Sequence, residues 1–203
     1  STQGYSSAAS DVYKRQIVRN AYAHYFPYID KYFTPFIPAT KKMSKKIKRD
    51  LAAENNEQIR LVPQLIGNRA DEFLMMIRQL EDLGFTSVNL NFGCPSGTVV
   101  SKRKGAGFLA DPKELENLLE EVLENSPLAV SVKTRVGIKD PDEWEALCGV
   151  YAKFPLEELI IHPRLQNDYY SGTPRMETFA RALEQIHVPL CYLSLIHISE
   201  PTR

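Results

Sequence analysis

The chain has 203 residues, with 25 Lys and Arg balanced by 25 Asp and Glu, and 43% of its residues are hydrophobic. That is enough apolar mass for one domain with a core, and a net charge of zero argues against a general nucleic-acid binder, so any such contact must rest on local patches. Three cysteines with no C-x-x-C spacing argue against a zinc site and a disulfide framework and suit a reducing cytosol, and no apolar run approaches membrane-spanning length.

In chain order, the first readable segment does not look inherited. Ser6 to Gln16, S-S-A-A-S-D-V-Y-K-R-Q, is the in-frame translation of a transposase sequencing adapter. Leu193 to Arg203, L-S-L-I-H-I-S-E-P-T-R, translates the complementary adapter. Residues 1–16 and 193–203 are therefore expected to be non-native tails, and 17–192 the natural fragment. Without the tails the net charge is −1, since Lys14 and Arg15 stand against Asp11, and Arg203 against Glu200.

From Asp30 onward, strand and helix patterns alternate. Residues 32–37 (Y-F-T-P-F-I) read as a strand, followed by a basic loop from Lys41 to Arg49. Residues 60–66 form the next strand, and 71–83 a helix with Phe73, Leu74, Ile77 and Leu80 on one face and Gly84 as its stop. A strand over 86–91 precedes a helix over 113–124, whose Leu115, Leu118, Leu119, Val122 and Leu123 face inward. Residues 128–133 are a near-continuous apolar strand, as a parallel sheet requires. Asp140-Pro-Asp-Glu is a helix start, with Asp140 as cap, Pro141 at the first position and Glu143 closing a capping box. Trp144, Leu147, Cys148 and Tyr151 form the inner face of that helix. A strand over 158–162 follows. The helix over 174–186 is expected to turn Met176, Phe179, Ala180, Leu183 and Ile186 inward, and a last strand begins near Val188.

Repeated strand–helix units point to a parallel α/β fold. The polar residues gather at strand ends: Gln64, Asn89, Asn91, Cys94, Lys133, Arg135, His162 and Arg164. Spread over four consecutive strands, they favour the catalytic rim of a (β/α)8 TIM barrel over the single switch point of a doubly wound sheet. The expected fold is thus a partial barrel that lacks its first and last strands. Gly105-Ala-Gly107 is too short and too far from a strand end to count as a dinucleotide-binding turn.

The most specific stretch is Asn89 to Ser96, N-L-N-F-G-C-P-S. Gly93 permits a tight bend and Pro95 fixes the exit, so Cys94 is presented at the mouth of a strand. Taken alone, these residues allow Cys94 to be a general acid, which must carry its proton, or a thiolate nucleophile, which needs a neighbouring base or positive field. The motif resembles the active-site signature of the tRNA-dihydrouridine synthases, flavin enzymes that reduce uracil bases in tRNA. That resemblance implies FMN recharged by NADPH or NADH, hydride delivery to uracil C6, and Cys94 as the proton donor to C5.

The resemblance also assigns other residues. Lys133, in S-V-K-T-R-V-G, matches the lysine facing the flavin N1–C2 carbonyl edge, and Gln64, in V-P-Q-L-I-G, a glutamine on the flavin ring. His162 matches a flavin-contacting histidine, although the usual H-G-R-T reads H-P-R-L here. Asn91 matches an asparagine near flavin and base, and Arg135 is expected on the substrate. The lysines of 41–49 and 102–104 could touch tRNA phosphates from the same rim, and Tyr169 and Tyr170 could stack on a base or simply pack. In this family the flavin phosphate residues and a helical tRNA-binding domain lie beyond Tyr192, so the truncated chain itself is expected to be inactive. No metal and no membrane are implied, and a cytoplasmic monomer is expected. Two other readings stay open: a flavin barrel reducing a free pyrimidine or another small enone, and a noncatalytic RNA-binding relic.

Overall fold

The structure, a computed structural model, describes residues 24–25, 28–56 and 59–193. Of the expected tails over 1–16 and 193–203, all but Leu193 lie outside the described residues. Six parallel strands follow one another in space as they do in sequence. The first is split into β1 (Tyr32–Phe33) and β2 (Ile37–Pro38), the second into β3 (Leu61–Val62) and β4 (Gln64–Ile66). Next come β5 (Ser87–Phe92), β6 (Ala129–Arg135), β7 (Leu159–His162) and β8 (Leu190–Tyr192). The main sheet runs β2-β4-β5-β6-β7-β8, with β1 pairing β3 alongside. A doubly wound sheet would reverse its order at a switch point. This order never reverses, and successive helices α2 (Ala70–Glu81), α4 (Pro112–Asn125), α5 (Glu143–Tyr151) and α6 (Met176–Gln185) touch one another along one layer, with α3 (Gly97–Val100) a single turn after β5. The architecture is the arc of a (β/α)8 barrel, with six of its strands among the described residues.

Strand periodicity sorts the two faces. Ser87-Val-Asn-Leu-Asn-Phe alternates, and Phe92 meets Phe73 of α2 edge-on at 6.4 Å and stacks on Phe108 at 5.5 Å. Val88, Leu90 and Phe92 therefore face the helices, all fully buried. The opposite face is polar. Register places Gln64 beside Asn89, Asn89 beside Ser131, Asn91 beside Lys133 and Arg135 beside His162, so these side chains share the inner face.

The first two strands are interrupted for a local reason. Phe33 pairs with Val62 and Ile37 with Leu65, so one strand advances four residues while its neighbour advances three. The extra residue bulges around Pro35, where a ladder donor is missing in any case. Thr34 compensates, its hydroxyl accepting the Gln64 N–H at 3.0 Å.

Helix boundaries follow their caps. Gly84, at φ +86°, donates to the Glu81 carbonyl while Phe85 donates to Leu80, closing α2 in a left-handed turn. Asp111 accepts from Lys113 and Glu114 N–H at 3.1 Å each, and Pro112 opens α4. The expected Asp140 start is displaced: α5 begins at Glu143, Asp142 before it makes no side-chain cap, and the Asp140 contacts lie in the preceding turn, where Asp142 donates to the Asp140 carboxylate and Glu143 accepts from Asp140 N–H. Glu143 also accepts from Ile138 at 2.6 Å and Lys139 at 3.1 Å.

Two further expectations are corrected. Lys41 to Arg49 is not all loop: Ser44 caps a helix, α1 (Lys45–Leu51), that buries Leu51. The inward face of α6 is also different. Phe179 and Ile186 pack on the core as expected, but Trp144 donates its indole N–H to the Thr178 carbonyl at 2.8 Å, Thr178 and Ala182 turn inward, and Met176, Ala180 and Leu183 are exposed. A buried indole N–H requires an acceptor, and satisfying it outweighs the apolar stripe.

Glu143→Ala removes the acceptor for three loop N–H groups. The expected loss is roughly 1–2 kcal/mol of stability, read as a lower urea midpoint with an unchanged slope. Glu143→Gln should lose less.

Candidate active site

A cleft of about 210 Å³ opens at the C-terminal ends of β5, β6 and β7. It brings together Asn91, Cys94, Lys133, Arg135 and His162, five of the six residues singled out from sequence. Gln64 lies deeper and does not line it. A larger cleft of about 300 Å³ between the first strand and α1, walled largely by Pro35, Phe36, Ile37, Ile47 and Leu51, holds none of the six. Chemistry rather than volume therefore singles out the rim.

The Cys94 turn is held by one side chain. Asn91 Oδ1 accepts the N–H of Gly93 at 3.0 Å and of Cys94 at 2.9 Å. Both donors are backbone groups, so the orientation of the Asn91 amide is not a free choice. Its nitrogen must point the other way, and it donates to Gln64 Oε1 at 2.7 Å. That forces Gln64 Nε2 onto Asn89 Oδ1 at 2.8 Å, and Asn89 Nδ2 onto Ser131 Oγ at 2.9 Å. Ser131 in turn donates to the Val88 carbonyl at 3.1 Å. One direction of donation thus runs from the Cys94 turn across three strands to a backbone acceptor.

On the other side of the turn, Cys94 packs against a glycine. The Cys94 carbonyl accepts from Ala106 N–H at 3.0 Å, and a Cβ on Gly105, at φ +54°, would sit 2.8 Å from that carbonyl oxygen. Gly105 matters for this close approach, not for any phosphate turn. Gln166 Nε2 donates to the Pro95 carbonyl at 3.3 Å and ties the exit of the turn to the loop after β7. Sequence reasoning missed Ser131, Gly105 and Gln166. Only Ser131 left a signal, as the one small polar residue on the inward phase of an apolar strand.

The cleft is cationic, and no carboxylate lines it among the described residues. Arg135 is 1% exposed, and its guanidinium donates to the carbonyls of Gly93 at 3.0 Å, Leu165 at 2.7 Å and Tyr169. The Tyr170 ring lies 5.6 Å from it. Burial lowers its proton affinity, yet a guanidinium stays charged. Lys133 differs: its ammonium has no hydrogen-bond or ion-pair partner among the described residues. Burial lowers its pKa first, the like charge of Arg135 next, and Cys94 alone opposes. His162, 4% exposed, has its pKa pushed down to about 4 by burial and by Arg135, Lys133 and Arg164, with Asp168 opposing. Asp168 is bound to Arg175 and to Leu165 N–H. Leu193, expected to begin a non-native tail, donates to the Ile161 carbonyl at 2.9 Å and reaches the cleft wall.

The comparisons with known proteins agree on one family. A model described as "Dihydrouridine synthase (Dus)" matches residues 6–192. The chain belongs to the dihydrouridine synthase family. A tRNA-dihydrouridine(20/20a) synthase of Vibrio parahaemolyticus is 34% identical over 121 residues, 58% of this chain and 37% of that protein. A probable tRNA-dihydrouridine synthase of Staphylococcus epidermidis is 32% identical over 108 residues, 53% of this chain and 33% of its own length. A probable tRNA-dihydrouridine synthase 2 of Bacillus subtilis is 33% identical over 104 residues, covering 51% and 32% respectively. The chain thus spans about a third of the length of the curated relatives it matches. Within the described residues no helix is long and apolar enough to cross a membrane, and no group of three or more His, Cys, Asp or Glu is placed to hold a metal.

His162 makes stability depend on pH. The ordinary ring binds a proton near 6.5 and the folded one near 4, so between those values the unfolded state holds more protons. Its contribution is complete above the higher value and is lost as pH falls toward the lower one, on the order of 3 kcal/mol in all. His162→Gln should flatten that part of the stability–pH curve, measured by urea titration between pH 4 and 7.

Proposed function

We propose that the protein carrying this chain reduces uridine to 5,6-dihydrouridine in tRNA, using FMN recharged by NADPH or NADH. When bound, FMN would supply the hydride that enters uracil C6. The donor set fits such a group. A flavin ring edge is electron-rich and gains negative charge, and the cleft offers an unpartnered ammonium at Lys133, a neutral imidazole at His162 and no competing carboxylate. Lys133 is the observation that carries the reading: a half-buried cation with no partner of its own, beside the Cys94 sulfur.

Cys94 is the proton donor to C5. The Asn91 amide keeps the turn rigid, so the thiol is presented at one place on the rim. His162, neutral at working pH, is not an acid in competition with the thiol. Lys133 offsets developing negative charge, an electrostatic contribution that grows as water is excluded. Gln64, which does not line the cleft, acts through Asn91, whose amide N–H it accepts. Asn91 and Arg135 have most of their polar capacity committed to the backbone, so their part in substrate binding is chiefly to shape the cleft. The functional unit in this reading is 17–192, with residues 1–16 and 193–203 supplying no catalytic group; Leu193 enters only as a cleft-wall residue that donates to the Ile161 carbonyl.

Cys94→Ala in the full-length protein should leave FMN bound but slow uracil reduction at least about a hundredfold. The measurement is anaerobic single-turnover oxidation of the pre-reduced flavin on adding unmodified tRNA; an unchanged rate removes the thiol from the mechanism. Free uracil added instead should leave the flavin reduced. Rapid oxidation by free uracil would favour a small-molecule reductase.

A further inference from the structure

His162 and Arg164 stand two residues apart at the end of β7, and their contact has a direction. Arg164 is 3% exposed, and its whole fork is engaged. Nε donates to the Ser171 carbonyl at 3.1 Å, Nη2 to the Gly172 carbonyl at 3.0 Å, and Nη1 lies 2.9 Å from His162 Nε2. A guanidinium only donates. Nε2 must therefore present a lone pair, and the neutral ring carries its hydrogen on Nδ1. Protonating both nitrogens would set N–H against N–H across 2.9 Å in a buried place.

Nδ1 itself has no partner among the described residues. The only fully enclosed side-chain polar atom without a partner there is the Tyr32 hydroxyl. The Nδ1 edge is therefore open, and the space His162 borders is the cleft that also holds Lys133 and Cys94. We infer that Arg164 is a positioning residue that locks His162 as an Nδ1–H donor facing the cleft, ready for an acceptor atom on the electron-rich edge of a bound ring. The tautomer follows from this chain alone; the identity of the ring, the flavin, rests on the proposed function.

The surrounding charges act in the same sense. Lys133 and Arg135 on β6 and Arg164 beyond β7 all oppose a second proton on the ring, and Asp168 is the one acid acting against them. Asp168 is itself occupied by Arg175. The donor consequently keeps one form across the neutral range. An ordinary histidine in water favours the other tautomer, so the lock has a spectroscopic signature. A lysine at position 164 would keep the charge but could not span two carbonyls and an imidazole with a planar fork.

The test uses full-length protein labelled with 15N-histidine. Long-range 1H–15N correlation at pH 7 should show His162 with a protonated Nδ1 and a lone pair on Nε2. The reverse pattern, or a doubly protonated ring, overturns the inference. Arg164→Met should release the ring to the ordinary tautomer; a ring that stays locked without the guanidinium also overturns it. Two isosteres then test the donor by FMN equilibrium dialysis, with thermal melts confirming that each variant is folded. The amide nitrogen of Asn falls where Nδ1 lies, and that of Gln where Nε2 lies. His162→Asn should bind FMN within about threefold of the parent, and His162→Gln about tenfold more weakly. The opposite ranking overturns the assigned donor. A parent protein with the locked tautomer but no FMN affinity would sink the flavin reading and leave the role of Arg164 standing.

Discussion

Two adjacent backbone N–H groups, those of Gly93 and Cys94, set the terms for everything around them. The chain bends sharply after β5, so neither can stay in the strand ladder, and an unmet donor at this depth is costly. Asn91 meets both with one oxygen. From that choice the orientations of Gln64, Asn89 and Ser131 follow in sequence, each amide passing the constraint to the next strand. Residues whose types suggest ligand binding are thus first of all the framework that holds the cysteine still. A fully satisfied polar network of this kind rigidifies its surroundings, whereas a partly satisfied one would loosen them.

The second organising fact is a concentration of positive charge with almost no acid. Arg135 and Arg164 are buried on backbone carbonyls rather than carboxylates. Carbonyl dipoles partly compensate a guanidinium without cancelling its field. Arg135 also stitches separate loops together, joining the Cys94 turn to the segment after β7, and Gln166 repeats that link through Pro95. Lys133 alone is left uncommitted. The site therefore pairs a rigid backbone with one cation and one neutral imidazole available to a ligand.

Much of this was legible. The strand over 86–91 and the helix over 113–124 each rest on interactions a few residues apart, and each appears within a residue or so of its expected bounds. The face of α6 was only partly legible: Phe179 and Ile186 pack inward, but Thr178 and Ala182 replace Met176 and Leu183 where the Trp144 indole from another helix docks. The role of Gly105 was not legible. Its pattern suggested only a failed phosphate motif, yet its missing side chain makes room for Cys94 from eleven residues away. The basic stretch after β2 looked like pure loop because charge masked the Ser44 cap and the burial of Leu51.

By itself the sequence determined the succession of strands and helices, the polar inner face, and the residue types at the rim, because periodicity, caps and turns depend on near neighbours. Only the tertiary structure decided which of those residues are spent on one another and which remain free. Parallel register sets Gln64, Asn89 and Ser131 side by side, and it carries Lys133 and His162 to one cleft from two strands separated by a helix in the chain. Hydrogen-bond direction depends on partners that near-neighbour patterns cannot name. The availability of Lys133 and the single open edge of His162 are therefore properties of the fold.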